Sequence, residues 1–292
     1  MKIAVARYPI DAPGSFEAFA DKQSAWVAEA AAAGARVVVL PEYLSLELAA
    51  AFPHSVRADL ASSLLALQSL QGAWVTLFRR LAQRHGVYLV PGTFLLDIGG
   101  RFRNRADLFT PAGGHLWQDK LQLTGFEKAT GLIEGGDALK VFDIDGVRMG
   151  LAVCYDIEFP LPVRAQAEAG AQVILVPSCT DTEAGATRVR VGCLARALEN
   201  RCYVAQAVTA GEAAWSPALD VNTGEAAVYA PMDVGLPADG VLACTQAPGW
   251  AFADLDVAAL QASRAQAQVA NDRDWPGQCV PALRAARVVT PD

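Results

Sequence analysis

The chain has 292 residues, of which 53% are hydrophobic and 19% charged, and its formal net charge is -7. That length sits near the upper limit for one hydrophobic core, and the composition excludes a disordered chain. An acidic protein with no basic run is a poor binder of nucleic acid or anionic membrane.

MKIAVARYPI reads as a first strand, over Lys2–Tyr8, and not as a signal peptide, because no apolar core with a small-residue cleavage site follows. Ser15–Ala33 is predicted helical, with Ser15 as N-cap and Gly34 as the stop. Arg36–Leu40 is a Val-rich buried strand. Leu60–His85 is mostly helical with a break expected near Gly72, and Val87–Val90 is a strand. Arg105–Thr110 and His115–Asp119 pair around the turn Pro111-Ala112-Gly113-Gly114. Lys140–Asp143 and Arg148–Val153 pair around Asp145-Gly146. Then come a helix over Leu161–Ala169, a strand over Val173–Val176, a helix over Thr187–Asn200 and a strand over Tyr203–Val208. A strand, a helix and an extended end complete the chain after Ala251.

Two segments echo each other. Ala33-Gly34-Ala35-Arg36-Val37-Val38-Val39-Leu40-Pro41 resembles Ala169-Gly170-Ala171-Gln172-Val173-Ile174-Leu175-Val176-Pro177. In both, a helix closes on Gly and an apolar strand ends at Pro, which suggests a duplicated helix–strand layer. Near-continuous apolar strands are buried on both faces, so helices packed outside β-sheets are expected. No Pro/Gly/Ser-rich linker divides the chain, and a single domain over 1–292 is expected. No apolar run is long enough to span a membrane. The six cysteines, Cys154, Cys179, Cys193, Cys202, Cys244 and Cys279, show no CxxC pair. Reduced thiols in a cytoplasmic protein fit better than a disulfide framework or a zinc site.

Three polar residues share one local setting. Glu42 follows VVVLP, Cys154 follows GLAV and Ser178 follows VILVP, each at the C-terminal end of an apolar strand, where α/β sheets bind ligands. Taken singly, Glu42 reads as a loop acid and Cys154 as an inert buried thiol. The stretch Tyr155-Asp156-Ile157-Glu158-Phe159-Pro160, however, predicts a strand-to-helix elbow that exposes the Cys154 sulfur beside backbone N–H groups. The histidines His54, His85 and His115 lie in no motif-like context, so a base for the thiol must come from elsewhere. Asp119-Lys120-Leu121-Gln122-Leu123-Thr124-Gly125-Phe126-Glu127 supplies a cation and a further acid.

Together Pro41-Glu42-Tyr43, the DKLQLTGFE stretch, Cys154-Tyr155-Asp156 and Arg196-Ala197-Leu198-Glu199-Asn200 resemble the nitrilase (carbon–nitrogen hydrolase) superfamily across most of the chain. The resemblance implies an α/β fold, a four-layer α-β-β-α sandwich. It also implies assembly into a homodimer or higher homo-oligomer, with the segment from about residue 258 to 292 a tail available to a partner subunit. By the same resemblance Cys154 is the nucleophile, Glu42 the general base, Lys120 the oxyanion stabiliser and Glu127 a second catalytic glutamate. Tyr155, Tyr43, Glu158 and Ser178 are expected at the oxyanion and substrate positions. Glu158, Leu161 and Arg201 depart from the residues common in the family, which leaves the substrate open.

The implied activity is hydrolysis of a small amide to carboxylate and ammonia. A nitrile or N-carbamoyl substrate would use the same residues, and a non-catalytic binding protein on the same scaffold is the rival from another class. No metal or organic cofactor is expected. Of the six thiols, Cys154 is expected to be the most reactive.

Overall fold

Side-chain alternation along the buried strands decides the layering of this molecule, whose computed structural model describes residues 1–289. In β1 (Lys2–Pro9), Ile3 and Val5 join one apolar cluster while Ala4 and Ala6 join another. In β2 (Val37–Leu40), Val37 and Val39 divide from Val38 and Leu40 in the same way. Every second side chain of a strand points to the same face, so these strands are apolar on both sides and need a layer on each.

The first sheet runs through β3 (Tyr88–Pro91), β4 (Thr93–Asp97) and β5 (Phe102–Phe109) in the order β4-β5-β3-β2-β1. On β5 lie β6 (His115–Asp119) and the two-residue β7 (Ile133–Glu134). The second sheet contains β8 (Val141–Ile144), β9 (Val147–Leu151), β10 (Val173–Ser178) and β11 (Tyr203–Glu212). A short β12 (Val221–Asn222) and then β13 (Ala226–Tyr229) pair with β11, β14 (Val241–Thr245) pairs with β13, and β15 (Gly249–Asp254) returns to pair antiparallel with β1. The two sheets are joined where Arg7–Pro9 of β1 pairs in parallel with Val208–Ala210 of β11.

The inward faces of the two sheets share one core, in which Val5 and Val39 cluster with residues of β10 and β11 such as Leu175 and Ala205. Outside the first sheet lie the helices Phe16–Ala32 and Gln71–His85, which bury Phe19, Val27, Trp74 and Phe78. Outside the second lie Pro160–Glu168 and Glu183–Asn200, which bury Val163, Val189, Cys193 and Ala197. The result is the expected α-β-β-α order. Each fully buried aromatic or aliphatic side chain in these layers contributes roughly 1.5–3 kcal/mol.

The repeated sequence segments fold alike. Ala35 N–H bonds Ala30 O and Ala171 N–H bonds Gln166 O, each at the end of a helix whose glycine, Gly34 or Gly170, has positive φ. This closure satisfies orphan helix carbonyls and turns the chain into β2 in one sheet and β10 in the other.

Several boundaries differ from the sequence reading. The break in the long helical run falls at the 3-10 turn Gln68–Leu70, and Gly72 lies inside the helix Gln71–His85. The helix expected from Thr187 begins at Glu183, because the Thr182 side chain caps it by accepting from Gly185 N–H. β9 ends at Leu151, short of Val153. The 3-10 segment Leu44–Ala51, strand β4 and the helix Gly125–Thr130 went unpredicted. The first helix of the expected tail, Val257–Gln266, packs on its own chain through Leu260 and Ser263. There the buried Arg201 bonds Ser263 Oγ at 3.1 Å and pairs with Asp233 at 2.5 Å.

Candidate active site

Glu42, Lys120 and Cys154 follow the ends of β2, β6 and β9, and the fold brings all three to one cavity of about 290 Å³. Lys120 is 1% exposed, and its Nζ lies 2.9 Å from Glu42 Oε1 and 2.8 Å from Glu127 Oε2. Burial alone would depress this ammonium, but the two carboxylates outweigh it and hold the group above the ordinary lysine range. A buried cation is tolerated only with such partners.

The two glutamates are not equivalent. Glu127 opens the short helix Gly125–Thr130 as part of a capping box, its Oε2 accepting from Thr124 N–H at 2.9 Å. Its Oε1 accepts from Tyr43 OH at 2.7 Å and from Asn104 Nδ2 at 3.3 Å. Burial works to raise its carboxyl, yet Lys120 and these donors bring it below the usual glutamate value, so it is held as a carboxylate. Glu42 accepts at one oxygen, Oε1, from Lys120 and from Asn104 Nδ2 at 2.8 Å. Burial, with the nearby Glu127 charge adding to it, raises Glu42 above the usual value despite Lys120. Environments that push two carboxyl groups apart in this way separate a fixed counter-ion from a proton acceptor.

Cys154 has φ 50 and Tyr43 φ 60, left-handed values that cost a non-glycine residue about 1–3 kcal/mol each. Local bonds hold both turns. Tyr43 N–H donates to Thr93 Oγ1 at 2.8 Å. Below Cys154, the buried Asp156 carboxylate accepts from Val153 N–H at 3.1 Å, Leu121 N–H at 3.1 Å and Gln122 N–H at 2.7 Å. One side chain therefore ties the turn at Cys154 to the segment just after Lys120. Gly92 (φ 76) packs so closely under Pro41, next to Glu42, that a Cβ there would lie 1.8 Å from the Pro41 carbonyl oxygen.

The elbow at Cys154 does not expose the sulfur as expected. The turn is a tight 3-10 segment, Cys154–Glu158, and Cys154 is 5% exposed. Its thiol donates to the Cys179 carbonyl at 3.4 Å. Burial, then the Glu42 charge, raises the thiol well above its ordinary range, and Lys120 only partly offsets them. Burial and Glu42 thus favour the thiol over the thiolate at Cys154.

Of the other residues expected here, Tyr43 lines the cavity and reaches Glu127. Tyr155 does not line it; its ring meets Phe159 edge-on, and only its backbone belongs to the turn. Ser178 is fully buried with an unpartnered Oγ and does not line the cavity, because strand alternation turns its neighbour Cys179 there instead. Glu158 acts at the rim through Arg188, 3.6 Å away. His115 is engaged with Asp107, and neither His54 nor His85 lines the cavity.

Sequence reasoning missed Asn104, Asp156, Thr124, Phe126, Asp181, Arg188 and Asp220. Asn104 carried a signal: it is the polar member of an inward-facing set with Ala106 and Leu108 on β5. Among the described residues, no group of three or more His, Cys, Asp or Glu side chains is placed to hold a metal ion. Nor is any helix among them long and apolar enough to cross a membrane.

Comparison with known proteins adds to this geometry. The family model described as carbon-nitrogen hydrolase matches residues 2–265. A probable hydrolase of Bacillus subtilis, YhcX, is 31% identical over 245 residues, 83% of this chain. The chain spans about half, 47%, of that relative's length. The omega-amidase NIT2 of Danio rerio is 26% identical over 236 residues, covering 73% of this chain and 82% of that protein. Among solved structures, an amidase from Nesterenkonia sp. is similar with a TM-score of 0.67 and 27% identity, over 94% of this chain and 96% of that one. A variant of that amidase carries acrylamide added at its active-site cysteine, and another binds butyramide.

Proposed function

From the premise that the chain belongs to the carbon–nitrogen hydrolase family, we propose that it hydrolyses a small amide to a carboxylate and ammonia, with Cys154 as nucleophile. The observation that carries this reading is the buried set in which one ammonium, Lys120, is held by an ionised Glu127 and by a Glu42 of raised pKa beside the Cys154 thiol.

Glu42 takes the thiol proton as the sulfur attacks the amide carbon. The carbonyl π electrons move to oxygen, and Lys120 with the N–H of Tyr155 stabilises that oxyanion. Collapse of the adduct breaks the carbon–nitrogen bond, and Glu42 returns the proton to the leaving nitrogen, which departs as ammonia. A thioester remains on Cys154. Water, deprotonated by Glu42, attacks the thioester carbon; the carboxylic acid leaves and the sulfur regains a proton. Glu127 touches no reacting atom in this scheme. It is a positioning residue that keeps Lys120 charged and in place.

The Nesterenkonia amidase makes butyramide and acrylamide suitable probes. With wild-type protein, butyramide is expected to release ammonia and acrylamide to form an adduct located at Cys154 by peptide mass spectrometry. Cys154→Ala is expected to abolish turnover with an unchanged circular dichroism spectrum. Ammonia release by that variant above a trace of the wild-type rate would overturn the assignment. We further propose a homodimer or higher homo-oligomer, and a cytoplasmic location.

A further inference from the structure

The cavity walls above the buried charges are of two kinds. Phe126, Pro217, Ala218 and Val221 offer an apolar flank, while Asp181, Asp220 and Arg188 are exposed and charged. Arg188 is partly offset by Glu158, whose Oε1 lies 3.6 Å from its Nε. Asp181 and Asp220 have no ion-pair partner among the described residues. At the floor, Lys120 is committed to Glu42 and Glu127 at 2.9 and 2.8 Å. At the rim the carboxylates Asp181, Asp220 and Glu158 outnumber the one guanidinium, Arg188, so the mouth favours a substrate cation over a substrate carboxylate.

The field of one of these acids reaches the interior. Burial, then the Glu42 charge, pushes the Cys179 thiol, which lines the cavity, up to about 12, and Asp181 adds a smaller part. Asp181, Cys179 and Cys154 line the same cavity.

We propose that the preferred substrate is an amide whose far end carries a protonated amine, with a short methylene spacer along the apolar flank and the ammonium between Asp181 and Asp220. The proposal rests on the amide-hydrolase reading above and adds the substrate class to it. Charge complementarity at a cavity mouth acts on encounter and on KM, and clefts lined by one sign of charge concentrate ligands of the other. The spacer gains from the apolar flank whether or not the substrate is charged, so charge alone should set the order within a series of one length.

Three amides with four carbons each test this: 4-aminobutyramide (a cation at neutral pH), butyramide (neutral) and succinamate (an anion). The expected order of kcat/KM is cation, neutral, anion, with the cation ahead of the anion by roughly tenfold or more at low ionic strength and less so as salt screens the mouth. In the double variant Asp181→Asn/Asp220→Asn the cation-to-anion ratio is expected to collapse towards one. Butyramide hydrolysis with succinamate as the best substrate would overturn the inference while leaving the hydrolase reading intact, as would equal rates for all three. No ammonia from any of the three would overturn both.

Discussion

Replacing Asp156 should separate the geometry of the site from its chemical groups. The Asp156 carboxylate is 2% exposed and accepts bonds from the backbone N–H groups of Val153, Leu121 and Gln122. Asp156→Ala strands all three. A buried donor left without a partner costs about 1–3 kcal/mol, and Leu121 and Gln122 are half-buried, so water relieves part of the loss. The expected destabilisation is about 3 kcal/mol. Asp156→Asn keeps one carbonyl oxygen but sets an NH2 against a backbone N–H, so about 1–2 kcal/mol is expected. Because the clamp joins the turn of Cys154 to the segment after Lys120, its loss shifts thiol against ammonium. A displacement of about 1 Å costs on the order of 10²-fold in rate. The expected outcome with butyramide is a kcat lowered about 10²-fold in the Ala variant and about tenfold in the Asn variant, with KM little changed. Urea unfolding gives the stability and ammonia release the rate. Lost stability with wild-type kcat in both variants would refute the coupling and leave Asp156 a purely structural residue.

The same residue predicts a pH dependence of stability. Burial pushes Asp156 up to about 6 from 3.8 in spite of its three donors, so the folded state holds the proton more tightly than the unfolded one. Stability attributable to this group is therefore present below about pH 4 and lost as pH rises to about 6, by about 3 kcal/mol, and Asp156→Asn should remove that slope; parallel curves for the two proteins would refute it. For catalysis, the base must be ionised, so kcat/KM should fall with decreasing pH on a limb above the ordinary glutamate value, as the raised Glu42 requires; a limb at or below that value would point to another base. Lys120→Ala and Glu42→Gln should each lower kcat by roughly 10²-fold or more, checked by ammonia release, while His54→Ala, His85→Ala and His115→Ala remain active. With a disulfide reagent such as DTNB, the exposed Cys244 and Cys279 should react first and without loss of activity, ahead of the buried Cys154; early loss of activity would mean a more open site.

Much of this arrangement was legible because strand ends carry it. Glu42 and Cys154 follow apolar runs short enough to be read as strands, and Lys120 follows a hairpin marked by Pro111-Ala112-Gly113-Gly114. What the strand pattern could not convey was depth. An elbow after GLAV looked exposed, yet the 3-10 turn folds the Cys154 thiol against the Cys179 carbonyl. Ser178 shared the local setting of Glu42, but the two strands present those positions differently, and alternation placed Cys179 at the cavity instead. The wall residues Asp181, Arg188 and Asp220 come from loops and a helix beyond the motifs. Polar residues in such segments look like ordinary solvated surface until the fold closes them round a cavity. Arg201 looked like a departure from the family. At the helix end it takes φ 50, pairs with Asp233 and donates to Ser263 Oγ, which anchors the helix Val257–Gln266.

The placement of β1 has a consequence for how the chain is made. This strand finds β2 early, but its other edge is covered only by β15, at residues 249–254, and by the end of β11. Ribosomes add about 5–20 residues per second, so β15 emerges about 12–50 s after β1. Through that interval an apolar edge reading Ile3-Ala4-Val5-Ala6 has open N–H and C=O groups, a template for pairing with another nascent chain. The Met1 nitrogen likewise bonds the Leu255 carbonyl, far along the chain. Contacts so distant in sequence slow folding, and the yield of this protein should depend on holding the first strand unpaired until the last one arrives.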